Sequence, residues 1–344
     1  MNVSDFNYKL PEELIAQRPA EKRDASRLLV IHRDTGALEH KTFHDILSYF
    51  QPGDCLVLND SKVIPARLFG IKKDTGARVE FLLSRRLQGD TWETLVRPGR
   101  RVHPGDRILF GEHGELEAIV TERGEEGTRI VEFHYAGNFM DHLEAIGKIP
   151  LPPYIARETT PEDKVRYQTV YCQTEGSVAA PTAGLHFTPE LLEQARAKGI
   201  RIANLTLHVG LGTFRPVKCD QVEAHVMHFE DYAVSREAAD LVNETKAAGG
   251  RIISVGTTAC RTMESATDEN GVLQPGEGST GIFIYPGYRF KMVDSMITNF
   301  HLPKSTLLML VSALYDRENM LRAYEVAVKE RYRFFSYGDA TLIL

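Results

Sequence analysis

Between residues 62 and 133 the chain changes period. Short β-prone runs are cut by turn signals at Asp74-Thr75-Gly76, Gly89-Asp90, Pro104-Gly105-Asp106, His113-Gly114 and Gly124 to Gly127. Punctuation this regular predicts a small antiparallel barrel or sandwich. On either side the pattern is different, because extended and helical segments alternate there. The fold class expected is therefore α/β: a large discontinuous α/β domain, residues 1–61 and 149–344, with a small antiparallel β-barrel domain inserted at 62–148. A length of 344 residues is more than one domain usually takes.

In the α/β part a short helix is expected at 12–17, a strand at 27–32, a helix at 44–50 and an apolar strand at 55–58 running into Asn59-Asp60-Ser61. A proline-rich connector, IPLPPYI, follows the inserted segment and a helix at 141–146. Thr188 and Pro189 open a helix that closes at Gly199, and a strand at 201–209 puts Thr206, His208 and Gly210 on one face. Ser235 caps a further helix. A buried strand at 251–255 then turns through Gly256-Thr257-Thr258 into a helix carrying Arg261 and Glu264, and strands are expected at 281–285 and 296–300.

Composition narrows the class. The formal net charge is −6, which argues against a general nucleic-acid coat protein, yet residues 62–112 hold eleven Lys or Arg against six Asp or Glu. Arg85, Arg86, Arg97, Arg100 and Arg101 suit phosphates there, with Trp92 as a stacking surface; a solvated basic face explains the same charges. Acids and a proline in the first residues, and no apolar run near the roughly 20 residues of a bilayer crossing, lead to the expectation of a cytoplasmic protein without membrane contact. Cys55, Cys172, Cys219 and Cys260 form no CxxC pair and are expected as small buried thiols.

Chemistry concentrates in a few loops. GSVAAPTAGLHFT, Gly176 to Thr188, is rich in small residues and ends with His186 beside a helix start, a stretch suited to close ligand approach or to a tight crossing in a core. Gly210-Leu211-Gly212-Thr213-Phe214 is a second glycine-rich loop at a strand end, where open α/β sheets keep ligands. Lys304, Ser305 and Thr306 lie at a helix start without P-loop glycines, which leaves a modest anion site beside His301. HVMHFE, with His225, His228 and Glu230, suits proton transfer better than metal binding, since it lacks HExxH and no cysteines complete a site; no metal is expected. GxSxG and GxGxxG are both absent.

Taken together, LVLNDSKVIPARL, LPPYI, RYQTVY, PTAGLHFT, TLHVGLGTFRPV, VGTTACRTMES, IFIYPGY, NFHLPKST and YRFFSYGDA resemble one family over essentially the whole chain. It is the S-adenosylmethionine:tRNA ribosyltransferase-isomerase family of queuosine biosynthesis. The resemblance implies an enzyme, with 1–61 and 149–344 as its catalytic domain, that moves and isomerises the ribosyl part of S-adenosylmethionine (AdoMet) onto the 7-aminomethyl-7-deazaguanine base at the tRNA wobble position. Epoxyqueuosine-tRNA forms, and adenine and methionine leave. AdoMet is a substrate, so no cofactor is expected, and the protein is expected to be a monomer. The reaction needs a base against the sulfonium-acidified C5′ and an acid for departing adenine, tasks suited to histidine.

His186, His208 and His301 are the first candidates, with Glu230, His228 and His225 as alternates. Thr182, Gly184, Gly210, Gly212, Thr213, Phe214 and Arg261 are the candidates for holding AdoMet, with Lys304, Ser305 and Thr306 for its carboxylate or a tRNA phosphate. Arg67, Arg85, Arg97, Arg100 and Arg101 are those for tRNA. A non-catalytic RNA-binding protein and a nucleotide lyase or hydrolase working without tRNA are the competing readings.

Overall fold

The apolar run Cys55–Asn59 is buried along its whole length and lies beside the central strand of a nine-stranded sheet. The computed structural model describes residues 1–210, 212 and 217–344. Across the sheet the order is Gly276–Thr280, Glu230–Val234, Arg201–Leu207, Cys55–Asn59, Ile252–Val255, Ser295–Asn299, Ala340–Ile343, Arg27–Ile31 and Leu38–Thr42. Arg201–Leu207, Cys55–Asn59, Ile252–Val255 and Ser295–Asn299 run parallel, so their carboxyl ends share one edge. The outer strands are mostly antiparallel.

Alternation along the strands supplies two apolar faces. Leu29, Cys55, Val57, Leu205, Ile252 and Met296 pack against the helices Arg236–Ala247, Gly256–Ala266, Thr306–Leu314 and Arg317–Lys329. Leu28, Leu56, Leu58, Ile253, Val255 and Ile297 meet Phe43, Ile46, Leu191 and Leu192 on the other side. The helix Pro189–Ala197 starts as its residues dictate: the Thr188 hydroxyl accepts from the Leu191 amide and Pro189 stands in the first turn.

The inserted segment closes into a six-stranded antiparallel barrel in the order Arg129–Tyr135, Thr91–Arg97, Arg78–Gln88, Arg67–Lys72, Arg107–Phe110 and Leu116–Arg123. Phe81, Phe110, Phe133 and Leu116 fill it. The chain enters through Ser61–Val63, which pairs in parallel with Thr174–Ser177, and leaves beside Lys148, which bridges to Arg67.

Local propensity is overruled in several places. The expected helix at 12–17 is only a 3₁₀ turn, Glu12–Leu14, because Ile15 bridges to Phe334 and the Ala16 amide donates to the Phe334 carbonyl. The expected strand at 281–285 is displaced to Gly276–Thr280, which takes the free edge of Glu230–Val234; Ile282, Phe283 and Tyr285 pack on the core as loop residues. The strand expected to reach 209 stops at Leu207, where the chain changes partners and Val209 bonds to Ser177 and Val178 instead. All four cysteines are free; Cys55 and Cys260 are buried, but Cys172 and Cys219 are only partly so. No helix among the described residues is long and apolar enough to cross a membrane.

Candidate active site

The shared carboxyl edge ends in polar residues whose backbone ladder has run out. The Asn59 side chain replaces the missing strand residue, donating to the Leu207 carbonyl and accepting from the Leu207 amide, both at 3.0 Å. This holds the next residues of both strands together. Asp60 accepts from the Thr206 hydroxyl at 2.7 Å, and burial raises its carboxyl above the ordinary value, opposed by that bond and by nearby His208.

His208 follows directly, its amide bonded to the Asp231 carbonyl at 2.9 Å. Gly176 has φ +135°, and a Cβ there would sit 3.0 Å from the His208 ring, so the ring lies flat against backbone that only glycine leaves bare. Burial lowers the imidazole below its ordinary value, with Asp231 and Asp60 pulling it back up. Its Nδ1 is buried and has no hydrogen-bond partner among the described residues. A neutral imidazole beside a carboxylate is the arrangement a general base needs near neutral pH.

His208 opens onto a cleft of about 990 Å³ between the sheet edge and the barrel. Gly210, His225, His228 and Glu230 line its sheet side, and Ser84, Arg85, Arg86 and Trp92 its barrel side. Arg85 grips Asp231 with two bonds, 3.0 and 2.7 Å, and so ties the barrel to the strand behind His208. Gly210 has open space where a side chain would go, whereas a Cβ at Gly212 would meet the His228 ring at 2.6 Å. His225 packs edge-on against Phe283, and burial followed by the charge of His228 lowers its imidazole.

Several sequence candidates do not belong to this cleft. His186 is buried on the opposite part of the edge, stacked on Phe43 with Nδ1 2.7 Å from the Ser26 hydroxyl, and desolvation takes it down to about 4. His301 lies under Tyr8 and Tyr324, bonded through Nε2 to the Thr298 hydroxyl, and burial takes it down to about 3. Three histidines close in motif space thus occupy separate environments, and only His208 meets the cleft. Thr182 and Gly184 sit in the 3₁₀ turn Thr182–His186, outside the cleft lining; a Cβ at Gly184 would lie 2.0 Å from the Tyr171 hydroxyl, so this glycine makes room for a tyrosine.

Lys304, Ser305 and Thr306 do not line this cleft either. The Ser305 hydroxyl caps its own helix through the Leu308 amide at 3.2 Å, and the Lys304 amide is bonded to Phe6. Arg261 is buried against Glu230, whose other oxygen accepts from the Gly210 amide at 3.0 Å. Glu230 therefore joins the Gly210 backbone to Arg261. Thr213 and Phe214 lie outside the described residues. Of the barrel candidates, Arg85 is engaged with Asp231, Arg67 faces Glu80 at 3.3 Å, Arg97 is exposed on another face, and Arg100 and Arg101 are exposed in the turn Gly99–Arg101. Trp92 is 3% exposed and belongs to the barrel core, so it offers no free stacking face.

Asp60 and Asp231 were not singled out from sequence, whereas Gly176 opens the small-residue stretch that was. Asn59-Asp60 after a wholly apolar strand was the available signal, since polar residues at the carboxyl end of a parallel strand face the usual ligand edge.

Fold and cleft together define a mixed α/β protein whose ligand edge is roofed by an inserted β-barrel. A family model described as queuosine biosynthesis protein matches residues 3–343, and the chain belongs to that family. It is 59% identical, over 343 residues covering 100% of both chains, to the S-adenosylmethionine:tRNA ribosyltransferase-isomerases of Acetivibrio thermocellus and Clostridium kluyveri. The crystal structure of an S-adenosylmethionine tRNA ribosyltransferase from Thermotoga maritima is 42% identical, with 99% of this chain and 100% of that chain covered and a TM-score of 0.57.

Proposed function

We infer that this protein is an S-adenosylmethionine:tRNA ribosyltransferase-isomerase that uses the cleft between sheet edge and barrel. The observation that carries the location is His208, an imidazole at a strand end that burial lowers below its ordinary value, opening with Gly210 and His228 onto a cavity whose barrel side carries Arg85 and Arg86. In this reading AdoMet lies along the loop after Leu207, where the Gly210 backbone is uncovered. His208 takes the C5′ proton made acidic by the adjacent sulfonium, and His228 supplies a proton to departing adenine. The aminomethyl nitrogen of the 7-deazaguanine base bonds to the ribosyl carbon that carries sulfur and gives up an N–H proton to solvent, while the carbon–sulfur bond breaks and methionine leaves with its electron pair.

The barrel side of the cleft offers Arg86, whose guanidinium stands 6.0 Å from the Trp92 ring, to the wobble nucleotide. The reading includes no cofactor beyond AdoMet, a monomer, and a cytoplasmic site of action. Incubation with AdoMet and tRNA carrying the aminomethyl-deazaguanine base tests it by nucleoside mass: a gain of the epoxycyclopentanediol unit supports the reading. An unchanged nucleoside with intact tRNA binding would replace it with an RNA-binding role.

A further inference from the structure

A second cavity, about 420 Å³, lies where the outer wall of the barrel meets the proline-rich connector. Register explains its lining. Phe69 stands opposite Glu80 and Glu80 opposite Arg97, so one row of outward side chains crosses three strands; Arg67, Leu82 and Leu95 form the next row. The alternate positions Leu68, Phe81 and Val96 are buried in the barrel core. Phe69 is therefore a phenyl ring on the outside, 53% exposed, with no core to fill.

The surroundings suit a flat anionic ligand. Lys148 Nζ stands 5.3 Å from the Phe69 ring centroid, and Arg97 is exposed and makes no ion pair among the described residues. Arg67 pairs with Glu80 at 3.3 Å and Arg157 with Asp163 at 2.7 Å, which leaves the charges of Arg97 and Lys148 unbalanced. Leu82, Leu95 and Pro152 supply apolar walls.

We propose that this groove is an RNA-contact site separate from the catalytic cleft, in which one unpaired base stacks on Phe69 and its flanking phosphates meet Arg97 and Lys148. An exposed aromatic ring beside cations is how single-stranded nucleic acid is held without reading its sequence. The strand Arg78–Gln88 links the two sites: Glu80 and Leu82 face this groove, while Ser84, Arg85 and Arg86 face the catalytic cleft. Leu82 and Ser84 are only about 7 Å apart along it. One RNA strand lying over this strand reaches both places. The inference rests on tRNA being the substrate.

The test is binding of a fluorescently labelled anticodon stem-loop RNA, compared with a blunt RNA duplex of equal length, at several salt concentrations. The stem-loop should bind more tightly, and 2-aminopurine at one loop position should change its fluorescence on binding. Phe69→Ala should weaken stem-loop binding about tenfold or more, and Phe69→Tyr only about two- to threefold. In turnover Phe69→Ala should raise KM for tRNA and leave kcat and KM for AdoMet unchanged. Arg97→Gln should flatten the salt dependence by about one phosphate contact. Val272→Ala, exposed on a distant loop, serves as control.

Wild-type affinity in Phe69→Ala, or equal binding of duplex and stem-loop, would overturn the proposal. Should Phe69→Ala not fold, the wild-type 2-aminopurine signal decides, and silence at every loop position overturns it. These binding readouts need no turnover. Failure of adenine release with Phe69-dependent loop binding intact would sink the catalytic reading and leave this site standing; turnover with no Phe69 dependence would do the reverse.

Discussion

Lowering the pH from neutral should weaken the fold through two histidines that are buried uncharged. His186 and His301 are held at about 4 and about 3, against an ordinary value of 6.5, by desolvation. The unfolded chain takes up a proton at each below pH 6.5 and the folded chain does not until the pH approaches the lowered values. Their contribution to stability is therefore complete above 6.5 and is lost as the pH falls toward 4 and 3. At pH 5 each unfolded imidazole is about 1.5 units below its pKa, so each costs about 2 kcal/mol and the pair about 4. His208 and His225, also lowered by burial, act in the same direction. Asp163, which Arg157 brings down to about 2 against the effect of burial, gives up its share only below the ordinary aspartate range. Urea unfolding followed by circular dichroism at pH 7.5 and 5.0 measures the difference. His301→Gln, whose amide can keep the Thr298 bond, should remove about 2 kcal/mol of it. A wild-type difference below about 1 kcal/mol, or no change in His301→Gln, would refute neutral burial of these rings.

Other consequences are equally direct. Arg261→Leu removes one charged hydrogen bond from the buried Glu230 carboxylate, and a loss of about 1.5–3 kcal/mol in urea unfolding is expected. Gly184→Ala forces a methyl onto the Tyr171 hydroxyl and should cost about 1–3 kcal/mol of stability while leaving KM for AdoMet unchanged in the folded fraction. The acid limb of kcat/KM should fall below pH 6.5, because His208 is held below its ordinary value and is active unprotonated; a limb above 6.5 would contradict that role. Arg85→Ala removes the fork onto Asp231, and KM for both substrates should rise as the barrel loses its tie to the His208 strand; unchanged kinetics would remove the tie from the account.

The barrel was legible because its turns carry their own chemistry: Asp74-Thr75-Gly76 and Gly89-Asp90 fall between strands as read, with Gly76 and Gly89 at positive φ. The helix start at Thr188 was legible for the same reason, since cap and first turn are local. The site was not. His186 stands beside that helix start in sequence, but its environment is made by Ser26 and Phe43, some 150 residues away in the chain, and no local pattern reports them. Ser305 shows the converse, a residue type that reads as an anion ligand at a helix N-terminus until the structure shows its hydroxyl already capping the helix. Asp60 was visible as a polar residue ending an apolar strand, yet its pairing with Thr206 and His208 depends on which strands lie side by side.

In the proposed function the chemistry occurs at His208 in the barrel-roofed cleft and not at the other two histidines. Adenine release at saturating AdoMet and modified tRNA, measured for His208→Gln and His301→Gln at pH 7.5, tests it most directly. His208→Gln should lose about 100-fold or more in kcat, the usual worth of a positioned base, while folded His301→Gln stays near wild type. Near-wild-type release by His208→Gln, or its loss in folded His301→Gln alone, would contradict the account.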